Sequence, residues 1–316
     1  MEPTKLPTRC RWGVVATVLA SPEEILRFAA HHLDLGAHRI YIHLDAPNAD
    51  VFDQLKAHPK IRIATCDEIY WRRLGRDRPL KHQERQSVNA TRAYQKAKDV
   101  DWLVHVDVDE YLVPKRPVDE ILVEQPGDVA GLRIHPIELL AGGDGRAYKA
   151  ALPAGSDIAL EHSLYGQYGT ALRRGLLSHT AGKIIVRTGL EKVSVRIHRA
   201  FQNGREIAAL ALSDQLELAH HHAATWDDWI AKAPMRLDRG AYRAELKRDG
   251  GVISQHDALS SILASDGEAG LRTFFQTVTT DTDVLRSKLA HTGLLRIFEL
   301  DLDNKVALHF PSSGRI

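Results

Sequence analysis

The chain has 316 residues, 44% of them hydrophobic, which is enough for one large domain or two with a substantial core. Its 42 Lys and Arg residues nearly balance its 41 Asp and Glu residues, which argues against a nucleic-acid-binding protein. Two cysteines, Cys10 and Cys66, give no disulfide framework, so a reducing cytoplasm is the expected location. No run approaches the roughly 18–20 apolar residues of a membrane span. We therefore expect a protein with no transmembrane segment, and peripheral membrane contact is left open.

The first hundred residues alternate between strand and helix patterns. Apolar runs at residues 13–19, 39–44 and 61–65 predict three strands. Ser21, followed by proline and two acids, has the pattern of a helix N-terminus, and a second helix is expected at about residues 81–98. Residues 66–80 are predicted to form an arginine-rich loop. This order predicts an α/β fold with a mostly parallel sheet flanked by helices. The ends of strands one, two and four should share one ligand-binding edge.

Residues 101–111 combine a fourth buried strand with three acids at its end. Because side chains alternate along an extended chain, Asp107 and Asp109 turn to one side while Val108 faces away. Two carboxylates this close repel each other unless a positive charge lies between them. Mg²⁺ or Mn²⁺, held by oxygen ligands and substrate phosphates, would supply that charge. The stretch therefore predicts metal-held phosphate chemistry, and the alternative is a solvated loop or a helix cap.

The Asp-x-Asp triplet is not specific by itself, because it also occurs at residues 99–101, 281–283 and 301–303. In residues 298–303 the acids alternate with apolar residues, so these acids are predicted to lie on the solvent-exposed face of an amphipathic strand. Only Asp107 and Asp109 follow a buried strand without such alternation.

The regular alternation of strands and helices stops after Pro114. Short strands are then predicted at residues 129–134 and 183–187, followed by a helix at about 226–247. We expect this irregular α+β half to cover the sheet edge and bind a second substrate. The predicted division is one domain at residues 9–250, with a nucleotide-binding half at 9–113 and an acceptor half at 114–250. Residues 251–316 form a C-terminal extension.

Other candidate residues carry charge at strand ends. Asp45, predicted as a surface acid after strand two, has the position of a ribose-binding or base-binding carboxylate, and turn initiation is the alternative. Lys183 begins an apolar strand and is expected to snorkel to solvent. The arginine-rich loop has the charge to neutralise a diphosphate, although such runs are often only solvated. Its cations are Arg72, Arg73, Arg76, Arg78 and Lys81.

Residues 220–222 are three consecutive histidines beside apolar residues, so at least one imidazole should point inward. Imidazole can join carboxylates around Mn²⁺, but a buried histidine is as often a core residue. The sequence contains no P-loop, Gly-x-Ser-x-Gly, Gly-x-Gly-x-x-Gly or His-Glu-x-x-His motif. These absences argue against P-loop enzymes, serine hydrolases, dinucleotide oxidoreductases and zincins.

The pattern resembles the family-2-like glycosyltransferases with a GT-A fold, in the branch that carries an Asp-x-Asp-Glu-Tyr/Phe motif. The resemblance covers about residues 11–247 and is most specific at residues 101–111. It departs from the family at Ala46, where Asn is usual, and in the His-Tyr motif, which falls on residues 221–222 without its Tyr. The other similar positions are residues 22–28, 40–45, 182–187 and 198–199, with Gln83, Arg85, Gln86 and Asn89.

The resemblance implies transfer of a sugar from a nucleotide-sugar donor to a glycan or other hydroxyl acceptor, generally with inversion. It implies Mn²⁺ or Mg²⁺ at Asp107 and Asp109, and His221 is the favoured histidine to complete the metal shell. The candidate residues for binding the nucleotide cofactor are Asp45, Arg85, Asp107 and Lys183. The candidate catalytic residues are Asp109, Glu110 and Asp228.

Several alternatives stay open. The base that takes the acceptor proton is one of Glu110, Glu138, Glu161, Asp214 and Asp228. The same acids would serve a metal-dependent nucleotidyltransferase or phosphoesterase, and the non-enzyme alternative is a carbohydrate-binding module.

Overall fold

The structure, a computed structural model, describes residues 10–212, 215–238, 240, 242–244 and 253–311. It confirms the predicted α/β class, with a large central sheet flanked by helices and a small separate antiparallel sheet. The chain divides into two compact units. Unit one lies within Met1–His135, Gly182–Leu218 and Asp301–Ile316, and unit two within Pro136–Ala181 and Ala219–Leu300. Each unit combines separate segments, whereas the predicted domains are contiguous.

The regular elements match several predicted positions, and the strands expected at residues 39–44, 61–65 and 183–187 are confirmed. No described helix is long and apolar enough to cross a lipid bilayer. The strands are β1 Trp12–Val18, β2 Arg39–Leu44, β3 Ile61–Thr65, β4 Trp102–His105, β5 Glu110–Pro114, β6 Gly131–Leu139, β7 Ala147–Ala150, β8 Lys183–Arg187, β9 Val193–Val195, β10 Ala200–Gln202, β11 Arg205–Glu206, β12 Ala209–Ala211, β13 Leu216–His220 and β14 Leu295–Ile297. The helices are α1 Pro22–Asp34, α2 Ala49–Ala57, α3 Glu68–Arg73, α4 His82–Lys96, α5 Val118–Val123, α6 Ile158–Tyr165, α7 Trp226–Asp238, α8 Gln255–Thr279, α9 Asp283–His291 and α10 Leu302–His309.

Unit one is built around four parallel strands. β1 pairs with β2 and β4, and β2 pairs with β3, so the spatial order is β4-β1-β2-β3. Every residue of β1 is buried, as expected for a parallel strand covered on both faces. β8 continues the sheet antiparallel to β4. Because β1, β2 and β4 run in the same direction, their carboxyl ends lie on one edge, as predicted.

Helices cover both faces of this sheet. α1 begins with the predicted cap, in which Ser21 and Glu24 bond each other's backbone, and it buries Phe28 against one face. α4 covers the other face with small residues and Tyr94. Burial of apolar side chains on both sides is the main driving force for this arrangement.

Unit two contains β7, which pairs antiparallel with β14 and with the last residues of β6. α8 is interrupted at Gly267, whose φ of 62° lies in the left-handed region that glycine adopts without strain. The ring of Trp229 in α7 packs on Phe275 of α8, with centroids 5.4 Å apart. Aromatic contacts of this kind account for much of the core of the unit.

Two predicted elements are wrong, and a third is shorter than predicted. Residues 66–80 are not all loop, because α3 forms there with Asp67 as its cap and Trp71 buried beneath it. No strand forms at residues 298–303; β14 ends at Ile297, and Asp301 has a left-handed φ of 50° just before α10. The helix predicted to reach residue 247 ends at Asp238, and residues 245–247 lie outside the described part of the chain.

Candidate functional site at the carboxyl ends of the parallel strands

The carboxyl ends of β1, β2 and β4 carry a connected set of polar side chains. α4 faces these ends and contributes residues that the sequence resemblance had singled out. Gln83, also singled out, is exposed and does not join them. Asn89 donates to Thr17 Oγ1 at 3.1 Å, and Gln86 donates to Asp107 Oδ1. The buried or half-buried members are Thr17, Asp45, Arg85, Gln86, Asn89 and Asp107.

Asp45 is a buried ion-pair partner rather than the surface acid that the sequence predicted. Its side chain has no exposed area and accepts hydrogen bonds from Arg85 Nη2 at 2.7 Å and from Arg78 Nη2 at 3.1 Å. His82 Nδ1 lies 3.2 Å from its second oxygen. Burial alone would raise the pKa of Asp45, but the hydrogen bonds from His82 and Arg85 outweigh it and hold that pKa well below its usual range. The carboxylate is therefore ionised and fully engaged.

Arg85 fixes the chain that leads into α4. Besides binding Asp45, its Nη1 donates to the carbonyl oxygens of Pro79 and Leu80 at 2.9 and 2.8 Å. Arg78 and His82, by contrast, keep 43% and 40% of their side chains exposed while Asp45 holds them. His82 is not among the site residues predicted from the sequence. The available signal is its spacing of three residues from Arg85, which places both side chains on one side of α4.

Lys183 does not snorkel, which corrects the sequence prediction. Its side chain is fully buried, and Nζ lies 2.6 Å from Asp107 Oδ2 and 3.0 Å from Glu110 Oε2. Glu110 also accepts a hydrogen bond from the Asp107 backbone N–H at 2.8 Å. Burial would raise the pKa of Asp107, but the Lys183 charge holds it well below its usual range. Lys183 therefore supplies the positive charge that the neighbouring carboxylates require.

Among the described residues, the carboxylates after β4 do not form a metal site by themselves. Both Asp107 oxygens are engaged, by Gln86 and Lys183, while Asp109 is half-buried beside Tyr111. Within the described ranges, no three His, Cys, Asp or Glu side chains are grouped to hold a metal ion. Mg²⁺ needs only one or two carboxylates when water and substrate phosphates complete its shell. A resident metal with three protein ligands does not fit this arrangement.

The three consecutive histidines of unit two have different environments. His222 is buried, and its Nε2 lies 2.7 Å from the Tyr242 hydroxyl, which also accepts a hydrogen bond from Trp229 Nε1 at 3.0 Å. Burial holds the pKa of His222 well below 6.5. His221 is half-buried, with Nε2 3.0 Å from the Tyr148 hydroxyl. His222 is therefore a core residue, while a metal-binding role for His221 stays a prediction.

The carboxylates considered as the catalytic base have structural contacts. Glu110 binds Lys183, as described above. Glu138 is 2% exposed and accepts hydrogen bonds from the backbone N–H groups of Leu177 and Ser178 at 2.8 and 2.5 Å. Glu161 is also buried, and Asp214 lies outside the described residues. None of these contacts assigns the base.

Asp228 is exposed at the start of α7, where it forms a capping pair with Thr225. The Thr225 hydroxyl donates to Asp228 Oδ2 at 2.8 Å and accepts from the Asp228 backbone N–H at 3.1 Å. Thr225→Ala should therefore lower the free energy of unfolding by about 1 kcal/mol, the usual value of an N-cap. Chemical denaturation of the wild type and the variant measures this loss. Equal stabilities would show that the cap does not form and would leave Asp228 free for another role.

No protein-family model matches the chain, and no curated protein is significantly similar to it in sequence. Among solved structures, it is similar to a mycobacterial protein, with 14% identity and a TM-score of 0.32, over 60% of this chain and 58% of that one. It is also similar to HddC from Yersinia pseudotuberculosis, with 15% identity and a TM-score of 0.31, over 56% and 76% of the two chains. A third similarity is to the apo structure of the bifunctional glycosyltransferase WbbM, with 12% identity and a TM-score of 0.31, over 56% and 31%. Resemblances this distant assign no activity, substrate or partner.

Proposed function

We propose that the chain is a glycosyltransferase that binds a nucleotide-sugar donor at the strand-end network of unit one and transfers the sugar to a hydroxyl acceptor. The observation that carries this proposal is the position of Asp107 and Asp109. They follow β4 at the edge where β1 and β2 also end, which is where open α/β sheets bind ligands. The sequence resemblance at residues 101–111 supports the choice of sugar transfer over other phosphate chemistry.

In this proposal Asp45 is a positioning residue. Its carboxylate is saturated by Arg85, Arg78 and His82, so it acts through them rather than by direct contact with a ribose. Arg78 is partly exposed, and its planar guanidinium is suited to bidentate contact with a diphosphate. His82, also partly exposed, adds a second polar group on the same side of α4.

A divalent cation, bound together with the donor diphosphate, would neutralise the charge of the departing nucleoside diphosphate. Asp109 is the proposed carboxylate for this cation. Asp107 would join it only by exchanging its contact with Gln86 or Lys183. Lys183 keeps Asp107 ionised and fixed in either case.

The test is thermal unfolding of the wild type and Asp109→Asn, each with and without Mn²⁺ and a panel of nucleoside diphosphates. At a ligand concentration of about 100 times Kd, the wild type should gain about 2.7 kcal/mol. Asn keeps the shape but removes the charge, so the variant should gain little from adding Mn²⁺. Asp53→Asn, an exposed acid on α2, is the matched control and should behave like the wild type. Equal Mn²⁺-dependent gains in the wild type and Asp109→Asn would remove Asp109 from the site.

Product analysis separates sugar transfer from the other phosphate chemistries. A glycosyltransferase should release a nucleoside diphosphate when both donor and acceptor are present. Release of pyrophosphate, or of phosphate without an acceptor, would instead identify a nucleotidyltransferase or a phosphoesterase.

A further inference from the structure

Unit one has a polar groove on the α4 face of the sheet, along β2 and the edge strand β3. The groove has a volume of about 760 Å³, within the usual size range of small-molecule sites. Asp45, Arg85, Asp107 and Lys183 do not line it. The charged and ring side chains that do are Arg39, Tyr41, His43, Arg62, Asp67, Tyr70, Arg73, Arg92, Lys96, Lys98 and Asp99.

Hydrogen bonds join the groove lining to the strand-end network at one point. Tyr70, which lines the groove, donates its hydroxyl to Asn89 Oδ1 at 2.7 Å. Asn89 in turn donates to Thr17 Oγ1 at the end of β1. The His43 ring lies edge-on to Tyr70, with centroids 6.2 Å apart. Because Asp45, Arg78, His82 and Asp109 do not line the groove, a ligand in it would occupy a site distinct from the proposed donor site.

The groove carries an excess of positive charge, because six of the charged lining residues are Arg or Lys and two are Asp. Both acids already have structural partners. Asp99 Oδ2 lies 2.5 Å from Arg39 Nε, and Asp67 accepts the Tyr70 backbone N–H at 2.7 Å as the cap of α3. Burial lowers the pKa of His43 to about 4, so this imidazole is neutral at pH 7.

Three of the groove cations have no counter-charge among the residues that the structure describes. Within the part of the chain that the structure describes, the side chains of Arg73, Lys96 and Lys98 form no hydrogen bond or ion pair, and all three are exposed. Arg92 lies over the Tyr70 ring, with Cζ 5.9 Å from the centroid. Unpaired cations around one groove repel one another, and an anion bound among them would remove this repulsion.

We propose that this groove binds a small ligand that carries two or more linked phosphate groups. Guanidinium and ammonium groups bind phosphate oxygens strongly, and cations on β2, β3, α3 and α4 are suited to several phosphates at once. A single phosphate would use only part of this set. The near-neutral charge of the whole chain and the limited volume of the groove favour a small ligand over a nucleic acid.

The experiment is calorimetric titration of the whole chain with inorganic tripolyphosphate, in EDTA so that no divalent cation takes part. The combined variant Arg73→Gln, Lys96→Gln, Lys98→Gln should bind tripolyphosphate at least about tenfold more weakly than the wild type. All three positions are exposed, so the variant should fold. The affinity of the wild type should fall as salt rises from about 50 mM to about 200 mM, as expected for an electrostatic site.

The matched control removes the same number of cations outside the groove, in Lys56→Gln, Lys115→Gln, Arg205→Gln. These side chains are also exposed, so a general effect of net charge would weaken both combined variants equally. If the control variant binds tripolyphosphate with an affinity close to that of the wild type, the result supports the groove as the binding site. The same affinity in Asp109→Asn keeps this test separate from the test of the donor site. Equal losses in both triple variants would overturn the proposal. The proposal would also be overturned if the wild type did not bind tripolyphosphate, or if it bound orthophosphate with equal affinity. A third contrary result would be that the wild type binds a single-stranded oligonucleotide more tightly than tripolyphosphate and that the groove variant does not weaken this binding.

Discussion

Lys183→Met should lower the free energy of unfolding by about 3–5 kcal/mol, the usual cost of breaking a buried ion pair by removing one partner. The ammonium of Lys183 is fully buried and contacts both Asp107 and Glu110. Methionine has a similar length and no charge, so the variant keeps most of the packing and leaves two carboxylates without a cation. Urea unfolding measures the loss. Lys115→Met, an exposed lysine without a side-chain partner among the described residues, should change stability by less than about 0.5 kcal/mol.

The stability lost in Lys183→Met should increase with pH. In the wild type the pKa of Asp107 is depressed, so its stabilising contribution is present above the unfolded pKa and is lost only in acid. Without Lys183, burial and mutual repulsion raise the carboxylate pKa values above their unfolded values. A group with a raised pKa stabilises the fold at low pH and loses that contribution as pH rises. The difference between the wild type and Lys183→Met should therefore be larger near about pH 8 than near about pH 5.

A combined variant separates charge from packing. Adding Asp107→Asn and Glu110→Gln to Lys183→Met removes all three charges, so it should recover part of the stability that the single variant loses. A loss below about 1 kcal/mol for Lys183→Met at every pH would show that the buried ion pair does not form.

The parallel core could be predicted because its signal is local. β1, β2, β3 and β4 are short apolar runs, and alternation of strand and helix along the chain is enough to predict a parallel sheet with one ligand-binding edge. The position of Asp107 at the end of β4 follows from the same pattern. The capping box at Ser21 is likewise a local signal, because its two partners are three residues apart.

The partners of the site residues could not be predicted, because they depend on contacts between distant parts of the chain. Lys183 lies 76 residues from Asp107 in sequence, and Arg85 lies 40 residues from Asp45. Residue types alone did not distinguish a snorkelling lysine from a buried one, or a ligand-binding aspartate from one saturated by arginine. The strand predicted at residues 298–303 was wrong for a related reason, because Asp303 pairs with Arg27, which is far away in the sequence.

The burial of Asp45 changes what its substitution should do. Asp45→Asn keeps the shape of the side chain and removes the charge that faces the buried Arg85 guanidinium. We expect a loss of about 3–5 kcal/mol in the free energy of unfolding. A surface acid would give less than about 0.5 kcal/mol, so Asp77→Asn, an exposed acid in the loop between α3 and α4, is the matched control. Urea unfolding of the two variants and the wild type measures both values.

The loss for Asp45→Asn should also become smaller in acid, but over a lower pH range than the loss for Lys183→Met. The pKa of Asp45 is depressed in the folded state, so its stabilising contribution is complete above the unfolded pKa of about 3.9 and declines in more acidic solution. The difference between wild type and variant should be constant from about pH 6 to pH 8 and should shrink below about pH 4. The variant should also bind nucleoside diphosphates more weakly at a temperature where it stays folded, because Arg78 and His82 lose the anion that holds them. If Asp45→Asn were as stable as the wild type at every pH, Asp45 would form no buried ion pair. If the variant bound nucleoside diphosphates with unchanged affinity, Asp45 would not be the residue that positions the donor-binding groups.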